Sequence, residues 1–338
     1  LRAPTELRRR IVLTIAGFSG LAALVCVIAP LVGSTPISLS RVFSRTIPFA
    51  DNVDAQVFFV ARLPRVLAAA LVGGSFAVAG VVFQALLRNP LASPDTLGVS
   101  SGATLGAVIV ITFHIDTALL GVSAVPVASF AGAAGALGVV YAMSIARRRG
   151  TSSTVLLLAG VALSAFLGAL NRFIQVIGDF TDTFRSMRWM MGSLDVGSYT
   201  DIAIALVPIA LALVAIATLP RVLDLVSLGS AAAESRGVDV KQAERVALVS
   251  ASLLTGSAVS LGGPIPFVGI IVPHMVRLVV GADHRLVLPA AALFGGSFLV
   301  VCDVVARTAF GPVGMPVGAV TALLGGPFFL WLLFRRFR

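Results

Sequence analysis

The chain reads as an all-α polytopic membrane protein of about ten transmembrane helices, several of them short or broken, with both termini on the cytoplasmic side. Three observations predict this. Of its 338 residues, 58% are hydrophobic and 12% charged, about half the charged share of an average soluble domain. The mean hydropathy is +1.02, and it is spread over apolar runs near the ~20 residues that cross a bilayer core. These runs are too numerous for one or two water-facing cores. The basic residues sit in short clusters between them, so the formal charge of +10 reports orientation. With no basic face and no aromatic platform, nucleic acid is not a partner.

Spans are expected near 11–31, 63–87, 97–114, 118–145, 154–177, 200–219, 246–262, 265–281, 286–309 and 316–334, forming one transmembrane domain over residues 1–338. The first follows LRAPTELRRR, and its apolar part exceeds the roughly 7–15 residues of a cleavable signal; it reads as a retained span. The second ends in QALLRNPLASPDTLGVSSG (84–102). There Pro90 and Pro94 stop the helix, while Asn89 and Asp95 can satisfy freed backbone groups. Gly98, Gly102 and Gly106 then open the third span with small residues at every fourth position, which lets another helix approach closely. The third, seventh and eighth spans are short for a simple crossing, and the eighth carries Pro266, Pro273, His274 and Arg277. Broken helices are tolerable there only where protein or a water-filled cavity covers the backbone.

Ten spans put both termini on one side. Placing them inside puts 17 of the 25 basic residues on the cytoplasmic face, among them Arg8–Arg10, Arg88, Arg147–Arg149, Arg221 and Arg285, as the positive-inside rule requires. The outer remainder is Arg41, Arg45, Arg62, Arg65, Arg172, Arg185, Arg188 and Arg307.

Several chemistries find little support. A Walker loop needs GxxxxGK[ST], and Lys241, the sole lysine, has no such setting, so any ATP must be hydrolysed by another subunit. Ion-coupled carriers place ionisable groups near mid-bilayer; Asp303 and Arg307 are the clearest candidates, but four residues apart on one helix they also suit a local pair. GFSG (17–20) matches a short serine-protease pattern in an unsupportive place. His114, His274 and His284 lack metal-ligand spacing. Cys26 and Cys302, each inside an apolar run, read as buried small hydrophobes.

Between spans six and seven, about 220–245, lies the long cytoplasmic connection. SAAAESRG suggests a short helix with Ser230 as N-cap and Gly237 as its stop. Too short to be stable alone in water, it must pack against this protein or a separate cytoplasmic subunit. An ordinary surface loop is the plainer alternative.

RLPR (62–65), GVVFQALLRNPLASPDTLGVSSGA (80–103), LLLAGVALSA (156–165), WMMGSL (189–194), SLGSAAAESRGV (227–238), GGPIPFVGIIVPHMVRLVVGADHR (262–285) and MPVGAVTALLGGPFFLWLL (315–333) together resemble the permease subunits of bacterial ABC importers for ferric siderophores, haem and vitamin B12 (FecCD-type, type II importers). The resemblance runs from about residue 60 to the C-terminus. It implies a permease of the bacterial inner membrane that pairs with a second copy or a paralogue. Two ATP-binding subunits would lie on its cytoplasmic side and an extracytoplasmic substrate-binding protein would dock outside. The chain would then be no enzyme and bind no cofactor, ATP and magnesium being held by the partner subunits. Arg62, Arg65 and Arg307 occupy the places that meet acidic residues of the binding protein. Asn89, Leu91, Ser153 and Thr154 fall at a cytoplasmic gate. Leu228, Gly229, Ser230, Ala232, Ala233, Glu234, Ser235, Arg236, Gly237 and Val238 fall in the ATPase coupling element, while Pro273, His274 and Arg277 are expected to do structural work near the inner surface. The expected substrate is an iron chelate, a ferric siderophore first, with haem or cobalamin as alternatives.

Overall fold

The computed structural model describes residues 4–115, 123–145, 153–196, 198–309 and 314–336, and among these it is helical with no strand. Apolar helices stand at each of the ten expected places. They are α1 (Pro4–Ile28), α2 (Leu63–Leu86), α3 (Val99–Thr112), α4 (Ala124–Ile145), α5 (Ser153–Ile177), α6 (Tyr199–Ala217), α7 (Val240–Gly262), α8 (Val268–Val280), α9 (His284–Thr308) and α10 (Val317–Arg336). Seven helices among the described residues are long and apolar enough to cross a membrane; the apolar stretches in α3, α8 and α10 are shorter.

One helix is central. Most residues of α2 are buried within the protein, packed between α7, α8 and α9. Lipid tails are as apolar as leucine, so helices in a bilayer associate through close packing and interhelical hydrogen bonds. Glycine supplies the closeness here. A methyl group on Gly73 would sit 2.3 Å from the Gly295 carbonyl oxygen, and one on Gly80 2.0 Å from that of Gly269, so α2 meets α9 and α8 backbone to backbone. The small-residue spacing noted in the third span acts likewise: a Cβ at Gly102 or Gly106 would meet the carbonyl of Gly132 or Ala128 on α4 at 2.4 or 2.0 Å. At the other extreme α1 rides on the outside of α9, joined by an edge-on contact of Phe18 with Phe294.

Four expectations change. The seventh helix is not short: it starts at Val240, where Asp239 caps it by accepting from the Gln242 N–H at 3.0 Å, which leaves Lys241 and Arg245 on turns that protrude from the apolar stretch. The second helix does not begin at residue 63 but runs on from Val53 through a π-helical turn, Val57–Arg62. Pro64 is the physical reason, because it has no N–H for the Val60 carbonyl and its ring crowds that oxygen. The wider turn relieves both, and Leu63 N–H bonds to Phe58 O, five residues back. A helix at Phe180–Met190, capped by Asp179, had no counterpart in the expected spans. Ser230, finally, is not an N-cap; Gly229 takes that position with φ 123°, leaving the serine hydroxyl free for a different partner.

Candidate functional site

The widened turn ahead of Pro64 aims two arginines into one recess at the predicted outer end. The cavity is about 590 Å³ and is lined by loop 33–35, the π turn, Leu194–Val196 and the C-terminal turn of α9, so that Arg62, Arg65 and Arg307 share it. Their occupations differ. Arg62 is buried and donates to the carbonyls of Pro30 (3.1 Å), Leu31 (3.2 Å) and Thr35, tying down the chain that leaves α1. Arg65 donates through Nε to Asp303 Oδ1 at 2.8 Å and through Nη1 to Asp195. Arg307 sits 3.5 Å from the other oxygen of Asp303 and donates to Ala29 O at 2.5 Å.

The local pair expected between Asp303 and Arg307 therefore forms, and Arg65 of α2 joins it across the helix interface. Asp195 was missed by sequence reasoning, although an acid directly after WMMGSL on a predicted outer loop was its available signal. Its side chain is 56% exposed, and Arg188 stands 4.0 Å from its second oxygen. Three arginines facing two carboxylates leave the recess with one positive charge in surplus, and Arg188 raises that to two. Of the three predicted arginines, Arg65 has the most open side chain, at 20% exposed against 12% for Arg307.

The opposite end holds the remaining candidates. After α2 the chain reverses at Arg88, which has φ 49°, and Asn89 Oδ1 accepts the Leu91 N–H at 3.0 Å. The predicted role for Asn89 in satisfying backbone is thus met locally, within a turn closed by Ala92 N–H on Asn89 O at 3.1 Å. Gly160 of α5 packs flat against Thr96, where a Cβ would lie 2.2 Å from the carbonyl, so α5 and the turn abut. Ser153 and Thr154 open α5, but their side chains lie outside the described residues, as do Arg147–Arg149. On α8, Arg277 donates to Gln84 Oε1 while Gln84 Nε2 donates to Gly269 O at 3.1 Å. Arg277 thus bonds an amide that itself stitches α2 to α8.

The connection between α6 and α7 folds into two short helices, Pro220–Ser227 and Ser230–Glu234. Ala233 is fully buried against Val226 and Val240, so this segment does pack on the body of the chain. Gly237, with φ 79°, ends the second helix, and Val238 N–H returns to Ala233 O at 3.2 Å. The opposite face is open: Leu228 is 70% exposed, and Ala232, Glu234, Ser235, Arg236 and Gly237 are exposed around it. Two polar links tie the segment down. Arg88 donates to Ser230 Oγ at 3.2 Å, joining the turn after α2 to the start of the second short helix. Asp224 accepts from the backbone N–H of His284 at 3.1 Å and lies 2.5 Å from its Nδ1, joining the first short helix to α9. Next to it Asp283 caps α9 and meets Arg285, whose hydrogen bond holds the Asp283 carboxyl below the usual carboxylate range.

Comparison with known proteins decides the family. The profile of the FecCD transport family matches residues 21–335. The chain belongs to that family. The FecCD chain is 43% identical over 299 residues to the cobalamin import system permease of Halobacterium salinarum, covering 88% of this chain and 78% of that one. It is 39% identical over 286 residues to the Fe(3+) dicitrate transport system permease of Escherichia coli, covering 85% and 87%. Among solved structures it superposes on an ABC transporter chain described as metal-chelate type and inward-facing, with a TM-score of 0.82, 31% identity and coverage of 95% and 98%. This FecCD protein is an ABC importer permease, the membrane-embedded subunit type.

Proposed function

We propose that this permease imports an iron chelate, a ferric siderophore in the first instance, across the bacterial cytoplasmic membrane, driven by two ATPase subunits that bind ATP and magnesium. It works beside a second permease copy or a paralogue, and an extracytoplasmic binding protein delivers the substrate. All ten apolar helices cross, with both termini inside.

The observation that carries this reading is the placement of the two charged devices at opposite ends. The arginine recess, with its surplus positive charge, faces one way. The exposed face around Leu228 faces the other, on a segment hydrogen-bonded to the turn after α2 and to α9. Cationic recesses steer and register acidic partners, while a small, open-faced helix held by polar links transmits a push from a cytoplasmic engine. Arg65 and Arg307 are the docking charges; Arg62 supports them by fixing the rim. Asn89 and Leu91 at the turn, with Ser153 and Thr154 at the start of α5, form the inner constriction at the dimer axis.

Uptake of radioiron-labelled siderophore, with the binding protein and ATPase co-expressed, should be lost in Arg65→Glu, whose docking should become weaker and more salt-sensitive. Because Asp195 competes for Arg65, Asp195→Asn should tighten docking. Docking unchanged in both variants would discard the assignment. A corrinoid substrate is the second reading, favoured by the 43% identity to a cobalamin permease, and labelled cobalamin taken up in place of the siderophore would establish it. Solute accumulation by the purified chain alone would instead mark an ion-coupled carrier.

A further inference from the structure

A second recess lies on the flank of the chain, beside the turn joining α8 to α9 and apart from the arginine recess. It measures about 360 Å³ and runs between α1 and the turn joining α8 to α9, lined by Arg10, Leu13, Thr14, Gly17, Phe18, Leu21, Val279, Val280 and Leu286. Its floor exists because of Gly17: a Cβ there would meet nothing within 4 Å, so a larger residue would fill open space.

Three features point to one occupant. Beyond the Thr14 hydroxyl the groove is apolar, and at the other end Arg10 stands exposed beside Arg8 and Arg9. Arg10 makes no ion pair with a described residue, Glu6 one turn earlier included, while the nearby Asp283 is already taken by Arg285. From Arg10 to Leu21 the helix rises about 16 Å at ~1.5 Å per residue, which is the depth of one leaflet of a ~30 Å hydrocarbon core. Arg10 thus sits at headgroup level and Leu21 near the bilayer centre. We propose that this groove binds one anionic phospholipid, its phosphate on Arg10 and an acyl chain along Leu13, Gly17 and Leu21. Basic pockets between transmembrane helices select such headgroups. The lipid would brace α1, whose apolar stretch has no fully buried residue, against the α8–α9 turn, next to the Asp224–His284 link of the coupling segment.

Native mass spectrometry of the full chain, exchanged from detergent into equal amounts of phosphatidylglycerol and phosphatidylcholine, tests this. Wild type should retain phosphatidylglycerol about fivefold over phosphatidylcholine, the preference expected from one basic residue at the surface. Arg10→Gln should abolish the preference, Arg10→Lys should keep it, and Gly17→Leu should lower retention of both lipids. Each variant is compared at equal monodispersity, since both positions face away from the core, and added inorganic phosphate should not displace the lipid. Equal retention of the two lipids by wild type, or a preference untouched by Arg10→Gln, would overturn the proposal.

Discussion

Replacing Asp303 with asparagine isolates the charge on which the arginine recess depends. The side chain is 1% exposed and receives Arg65 at 2.8 Å on one oxygen and Arg307 at 3.5 Å on the other. Asparagine keeps the shape and one acceptor but leaves two guanidiniums with a single carboxylate, Asp195, between them. Removing one member of a buried ion pair costs about 3–5 kcal/mol. The lower end applies here, because Arg65 keeps Asp195 and is partly solvated, and Arg307 keeps the Ala29 carbonyl. About 3 kcal/mol corresponds to roughly 150-fold in the folding equilibrium. Denaturant unfolding in detergent can be followed by tryptophan fluorescence, Trp189 lying in the helix beside the recess. A triple apolar variant, Asp303→Leu with Arg65→Leu and Arg307→Leu, should be closer to wild type than Asp303→Asn, because it leaves no buried charge unpaired. An Asp303→Asn midpoint equal to wild type, or a triple variant worse than the single one, would refute the reasoning.

Gly80→Ala should destabilise by about 1–3 kcal/mol or more, since its methyl would lie 2.0 Å from a backbone oxygen that cannot move alone; Gly17→Ala, whose methyl meets nothing within 4 Å, should not destabilise in the same thermal assay. Ala232→Trp, on the open face of the coupling segment, should leave the permease folded while separating ATP hydrolysis from uptake in reconstituted vesicles. Ala233→Trp should instead disturb folding, since Ala233 is buried. Asp283 has a folded pKa held below its unfolded value of about 3.9 by Arg285. Its contribution is therefore present above pH 4 and is lost as pH falls through the depressed folded value. The stability difference between wild type and Asp283→Asn should accordingly shrink as pH is lowered below 4.

Much of the plan was legible because each signal was local. Twenty-residue apolar runs, proline stops at 90 and 94 and glycines at 98, 102 and 106 act on the residues around them. The arginines at 62, 65 and 307 were found by motif, and the structure gathers them in one recess. What escaped was relational. Nothing near Arg65 announces Asp303, which lies 238 positions away, and nothing near Arg88 announces Ser230. The missed π turn and the longer seventh helix have a different origin, since hydropathy marks where a helix enters lipid and not where its hydrogen bonds begin.

By itself, then, the sequence determined the fold class, the approximate places of ten apolar helices and the identity of the charged groups, because transfer into lipid is a sum over neighbouring residues. Only the tertiary structure decided how those groups are used. It buries Arg62 on three carbonyls and leaves Arg65 partly open between two acids. It also turns Ala233 inward while Leu228 points out. Such outcomes depend on which helices touch, and that is settled by backbone approach at Gly73, Gly80, Gly102 and Gly295, where oxygen atoms of a distant segment occupy the space a side chain would need.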